Sequence, residues 1–138
     1  MLSILIPVGK FSFFPQMAMR NIRKASQDIE VFFVVDKHNR HITDFPTIEV
    51  PFDYVDHLAL LDWAFYNAPL SKYVIVQHAD FFWISDDWLK NIQEAIKTEP
   101  VALYPDEPWK LFALNGQELP LLHDFMGVYN RDIFIANK

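Results

Sequence analysis

Three short apolar runs, each ending at a polar or turn-forming residue, frame this chain. Leu2-Ser3-Ile4-Leu5-Ile6 is closed by Pro7, Ile29 to Val35 (IEVFFVV) stops at Asp36, and Tyr73-Val74-Ile75-Val76 stops at Gln77-His78-Ala79-Asp80. Apolar runs without alternation predict strands buried on both faces, as in a parallel sheet covered by helices. Between them the spacing changes to that of helices. From Pro15 to about Ser26, Phe14, Met17 or Ala18, Ile22 and Ala25 share a face. Asp56 is placed to cap a helix through Ala68, with Leu58, Leu61, Phe65 and Ala68 as its stripe. Ser85 is placed to cap another to about Thr98, with Leu89, Ile92 and Ile96 inward and Pro100 as its stop.

Shorter elements fill the gaps. Ile48-Glu49-Val50 reads as a short strand before Pro51, and Val101 to Tyr104 as another. Pro105 to Pro120 (PDEPWKLFALNGQELP) is rich in turn formers and predicts a loop holding a short helix or hairpin. Phe125 to Tyr129 is the last strand expected, before Asp132 to Ile135. The order β-α-β-β-α-β-α-β predicts one α/β layered domain over residues 1–138 with a mostly parallel sheet.

Composition narrows the function classes. With 51% hydrophobic and 22% charged residues, the chain can bury a core and is not disordered. Thirteen Phe and four Trp must fill that core, a pocket or a partner surface. A net charge of −6 argues against a nucleic-acid partner. The absence of Cys removes disulfides, thiolate metal sites and Cys nucleophiles. It fits a cytosolic setting, so a cytoplasmic location is expected. The apolar start is broken by Pro7, Gly9 and Lys10 and lacks a basic leader, and no stretch reaches the length of a transmembrane segment.

Candidate chemistry sits at the strand ends, because ligands of such sheets bind beyond the carboxyl edge. Asp36, ending the second strand, could accept hydrogen bonds from a base or ribose; the bland alternative is a turn Asp bonded to its own backbone. His78 and Asp80, two residues apart in extended chain, point the same way and could hold a divalent metal or face a phosphate. Asp80 supplies hard oxygen for Mg2+ or Mn2+, and an imidazole suits Mn2+ better than Mg2+. The alternative is a backbone-bonded His beside a loop carboxylate. Asp86 and Asp87 read as first-turn acids favoured by the helix dipole. Lys37, His38, Arg40 and His41 could meet a diphosphate or simply be solvated. Among the aromatics Trp83, Trp88, Trp109 and Phe112, Trp109 is kept as a contact candidate because it lies in a Pro-flanked loop. His123-Asp124 could be a base with its orienting partner, or ordinary loop residues.

Together these residues resemble the nucleotide-binding half of a GT-A glycosyltransferase of the family 2 type. The first strand ends Ile6-Pro7-Val8, the second is VFFVVD ending at Asp36, YVIVQHADFFWISDDWL aligns with the strand and helix around the Asp-x-Asp motif, and GVYNRDIF resembles a later strand. The resemblance implies a three-layer α/β/α domain. It further implies a nucleotide-diphosphate sugar held by Pro7, Asp36, His78, Asp80 and Trp109, with Mn2+ or Mg2+ on Asp80 and His78. The acceptor would be a glycan, lipid or protein. Two departures stand out. The first carboxylate of the motif is His78, and the sequence stops at Lys138, before the acidic motif that supplies the family's base. Asp124 is the residue available to stand in. The chain is therefore expected to be either a truncated glycosyltransferase or a non-catalytic binding or assembly domain of the same fold, whose apolar edges could drive homo-oligomer formation. A metal-dependent phosphohydrolase is a third reading, and it wants more clustered carboxylates and His than the strand ends supply.

Overall fold

A computed structural model describes residues 2–9, 13–104, 110–112 and 126–138. The elements are β1 (Leu2–Pro7), α1 (Phe13–Arg23), β2 (Glu30–Val35), β3 (Thr47–Glu49), α2 (His57–Asn67), β4 (Tyr73–Gln77), α3 (Trp88–Ala95), β5 (Ala102–Tyr104), β6 (Lys110–Phe112), β7 (Met126–Asn130) and α4 (Arg131–Ala136). A 3-10 turn at Ile96–Thr98 follows α3.

The strands form one sheet in the order β3-β2-β1-β4-β7-β5-β6. β3, β2, β1 and β4 run parallel, with Ile4 opposite both Val31 and Ile75. β7 is inserted antiparallel between β4 and β5, and β6 pairs antiparallel with β5. Five of the seven described strands thus share one direction, as expected of a mostly parallel sheet. Of the turn-rich stretch only β6 is described, pairing antiparallel with β5, which precedes the stretch; the rest, where a short helix or hairpin is expected, lies outside the described residues.

The continuous apolar runs are explained by the layers. Ile4 and Ile6 of β1 and Val31, Phe33 and Val35 of β2 pack with Ala18, Met19 and Ile22 of α1 and Leu89 and Ile92 of α3. Leu5, Val34, Val74 and Val76 point the other way, against Leu60, Leu61, Ala64 and Phe65 of α2 and Phe134 of α4. Alternate residues of each strand therefore enter different cores, and the architecture is three-layer α/β/α. Tyr129 of β7 is fully buried, and its ring lies so close over Gly127 that a β-carbon there would stand 2.5 Å from Tyr129 Oη.

Two helices differ from the sequence expectation. Asp56 does cap α2, its carboxylate accepting from the Ala59 N–H at 2.7 Å. The buried stripe, however, is Leu60, Leu61, Ala64 and Phe65, whereas Leu58 is 43% exposed. The helix is apolar on most of its circumference, so periodicity alone does not single out a face. α3 starts one turn later than Ser85, with Asp87 in the capping position. Ser85 Oγ accepts from the Asp87 N–H at 3.2 Å, forming a local turn before the helix, and Trp88 is thereby turned into the core. Among the described residues no helix is long and apolar enough to cross a membrane.

Topology positions the site. β1 has β2 on one side and β4 on the other, so successive connections leave it in opposite directions. The crevice this creates at the carboxyl ends of the strands is the usual ligand position in open α/β sheets.

Candidate functional site

A cavity of about 800 Å³ opens at that carboxyl edge. Val8 and Gly9 after β1, Asp36 after β2, Tyr54 and His57 at the approach to α2, and His78 and Asp80 after β4 all contribute to its wall. Pro7 is buried within β1, opposite Val34, and does not itself line the cavity. Asp36, from one end of the sequence, is brought to one site with His78 and Asp80, more than forty residues further on. Trp109, His123 and Asp124 lie outside the described residues.

Asp36 is 3% exposed. Its Oδ1 accepts from the Asn39 backbone N–H at 2.9 Å and from the Asn39 side-chain amide at 2.7 Å, and its Oδ2 accepts from the Tyr54 N–H at 3.0 Å. Burial pushes its pKa up, but the hydrogen bonds from Asn39, Tyr54 and His38 together outweigh burial and hold it below the usual carboxylate range. The bond to its own turn, expected as the bland alternative, is present. The bond to Tyr54 does more, because it ties the loop after β2 to the segment leading into α2. A carboxylate has about four acceptor positions, and these donors occupy most or all of them. The Tyr54 hydroxyl titrates above its ordinary range, chiefly through burial and secondarily through the neighbouring Asp56 charge, and remains a neutral donor.

At the end of β4, His78 Nδ1 lies 2.5 Å from Asp80 Oδ1, and His78 Nε2 lies 2.7 Å from His57 Nδ1. The two imidazole rings are 4.5 Å apart, centroid to centroid. The loop carrying Asp80 is held by its far side. Trp83 stacks on Trp88 at 4.2 Å with an 11° tilt, and its indole N–H donates to the buried Gln77 at 3.0 Å. Asn21 of α1 donates to the Trp83 carbonyl at 2.9 Å and accepts from its N–H at 2.8 Å. Trp83 and Trp88 are thus core and scaffold, which leaves Asp80 as the exposed tip of a braced loop.

His57 carries no motif that marks it as a site residue in the sequence. Its only local signal is position: Asp56-His57 opens the helix after β3, at the same sheet edge. In the basic loop Lys37 and His38 both reach Asp53, at 3.3 and 2.9 Å, and His38 and Asp53 themselves line the cavity. These pairs are exposed and add little stability. Among the described residues no three His, Asp or Glu side chains form a metal-binding cluster.

No protein-family model matches the sequence, and no curated protein does. Solved structures do match the fold. The mannosyltransferase of Pyrobaculum calidifontis, solved with GDP-Man and Mn2+, superimposes with a TM-score of 0.65 at 11% identity, over 99% of this chain and 46% of that one. The 4-diphosphocytidyl-2C-methyl-D-erythritol synthase of Anaerococcus prevotii superimposes with a TM-score of 0.57 at 12% identity, over 98% of this chain and 73% of that one. The chain therefore spans less than half the length of the mannosyltransferase. The likeness shows that the chain has the α/β fold of these two structures, without singling out the family 2 type.

Proposed function

We propose that this domain binds a nucleoside diphosphate sugar in the carboxyl-edge cavity, as the donor half of a glycosyltransferase. The observation that carries the reading is the convergence of Asp36 from β2 and of His78 and Asp80 from β4 on one cavity at the switch point. Asp36, held by its N–H donors at the cavity wall, is the acceptor assigned to the ribose or base, which would exchange for one of those donors. The β4 end faces the diphosphate. That the mannosyltransferase of the same fold was solved with GDP-Man and Mn2+ supports this assignment.

The donor chemistry at the β4 end fits a divalent cation. His78 has one ring nitrogen on a carboxylate and the other turned to a second imidazole, and a carboxylate partner of this kind is common among metal-ligating histidines. The β4 end, at His78 with Asp80 bonded behind it, would hold the ion, and the ion would supply positive charge against the leaving diphosphate. The chain's own residues orient the nucleotide and shield it from water through the Val8–Gly9 wall. Asp124 remains the proposed base toward the acceptor hydroxyl.

A thermal-shift panel of GDP, UDP, ADP and CDP, with Mn2+ or with EDTA, tests the reading. One diphosphate at a hundredfold excess over its Kd should stabilise the fold by about 2.7 kcal/mol, and Tm should rise by several degrees. Asp80→Ala should remove the Mn2+-dependent part of that rise. A folded sample whose Tm responds to none of the four in either condition would overturn the donor-site reading.

A further inference from the structure

We propose that His57 and His78 together form the cation site, as two imidazole ligands for a divalent transition ion, and that Asp80 acts through His78 rather than as a direct ligand. This rests on the proposed function for its biological purpose, but the site itself stands on the geometry. Nδ1 of His57 and Nε2 of His78 face each other at 2.7 Å. Two nitrogens each bound at about 2.1 Å to one ion, at right angles, stand about 3.0 Å apart. A small opening of the pair, with both rings turned so that their lone pairs converge on the ion instead of on each other, converts the contact into a chelate. Without an ion, the His57 Nδ1–H donates to the His78 Nε2 lone pair; when an ion binds, that proton leaves Nδ1 and the neutral His57 ring carries its one proton on Nε2 instead, by exchange with solvent.

The other side of His78 sets its tautomer. Nδ1 lies against Asp80 Oδ1, so it is the protonated nitrogen and Nε2 carries the lone pair. A carboxylate behind a ligating imidazole both orients the ring and raises its basicity. His57 is fixed independently, by the Asp56 cap at the start of α2 and by the edge of the Tyr54 ring at 5.8 Å. The ligands thus come from two elements packed on the same core, which holds their spacing before any ion arrives. This also gives a reason for the histidine at position 78, where the resemblance expects a carboxylate. Paired imidazoles favour later transition ions, so the affinity order is Co2+ over Mn2+ over Mg2+. Two protein ligands leave the other positions to diphosphate oxygens and water.

The test uses the whole chain loaded with Mn2+, Co2+ or Mg2+ as chlorides, alone and with the nucleoside diphosphate panel. Calorimetry should give Co2+ at least tenfold tighter than Mg2+. Pulsed EPR of the Mn2+ form should show 14N couplings from two imidazoles, falling to one in His57→Ala and in His78→Ala. Asp80→Asn should weaken binding by about 10–100-fold while keeping both nitrogen couplings. Circular dichroism of each variant establishes that it is folded. Bound Mn2+ without nitrogen coupling, coupling unchanged in His57→Ala, or no ion bound with or without diphosphate would overturn the inference. Diphosphate binding measured in EDTA separates the two ideas. If it persists and Mn2+ shows no nitrogen coupling, the donor site stands and the imidazole site falls. Nitrogen-coupled Mn2+ with no diphosphate binding leaves the imidazole site standing and removes the donor site.

Discussion

Phe65→Ala is expected to cost about 3–5 kcal/mol of folding stability, the range for emptying a buried aromatic site. Phe65 is fully buried on the inner face of α2. Its ring meets Tyr129 of β7 edge-on at 6.0 Å and Phe134 of α4 at 5.5 Å, and those two rings meet each other at 5.5 Å. Removing Phe65 opens the centre of this triangle, and the fully buried Tyr129 ring, wedged against Gly127, has little freedom to move into the space. The same helix begins at His57, so the loss reaches the candidate site. Denaturant unfolding should show a lower midpoint with an unchanged slope, and any ion affinity resting on the His57–His78 spacing should weaken with it. A stability within about 1 kcal/mol of the parent would show that α2 is not anchored this way.

Asp36→Ala is expected to lose about 2–4 kcal/mol, since it strips a buried charge-assisted acceptor from two backbone N–H groups and an amide. Asn39 and Tyr54 would be left to find water, and the loop after β2 would no longer be tied to the approach to α2. Asp36→Asn is expected to do nearly as badly, because one of its amide N–H groups would face another donor. The pH dependence identifies the cause. The folded-state pKa of Asp36 lies below its unfolded value, so its contribution is complete above the unfolded value, near 3.8, and fades as pH falls through the folded one. The parent should therefore lose stability in that acid window, and Asp36→Ala should lose less over the same window. Nucleoside diphosphate binding by the variant should fall at least tenfold at neutral pH. Parent-like binding by Asp36→Ala would remove Asp36 from the donor site and leave it a loop anchor.

The sheet edge is legible in the sequence because its signal is local. An apolar run that stops abruptly at Asp36, or at Gln77-His78-Ala79-Asp80, marks a strand leaving the core, and in a parallel sheet those exits collect on one edge. Asp36, His78 and Asp80 meet at one cavity for that reason. What is not legible depends on pairing. The run ending in Tyr129 reads the same in either direction, so nothing local shows that β7 enters antiparallel to β4. The buried face of α2 is ambiguous because Leu58 and Leu60 are equally apolar, and packing against β1 and β2 chooses the second. His57 is 21 residues from His78, and its role depends on α2 being docked so that its first residue reaches the loop that follows β4. The expected Ser85 cap loses to a competing local bond: the hydroxyl closes a turn with Asp87 and delays the helix to Trp88, whose burial against Trp83 decides the start.

A 15N-correlated NMR titration with the nucleoside diphosphate that gives the largest thermal shift tests the central claim most directly, because it reports both binding and place. The account predicts saturable shifts concentrated on the amides of Gly9, Asn39, Tyr54 and Ala79, which surround the carboxyl-edge cavity from four different segments. Saturable shifts confined to another surface, such as the groove between Lys24 and Phe82, or no shifts at millimolar ligand, would contradict it.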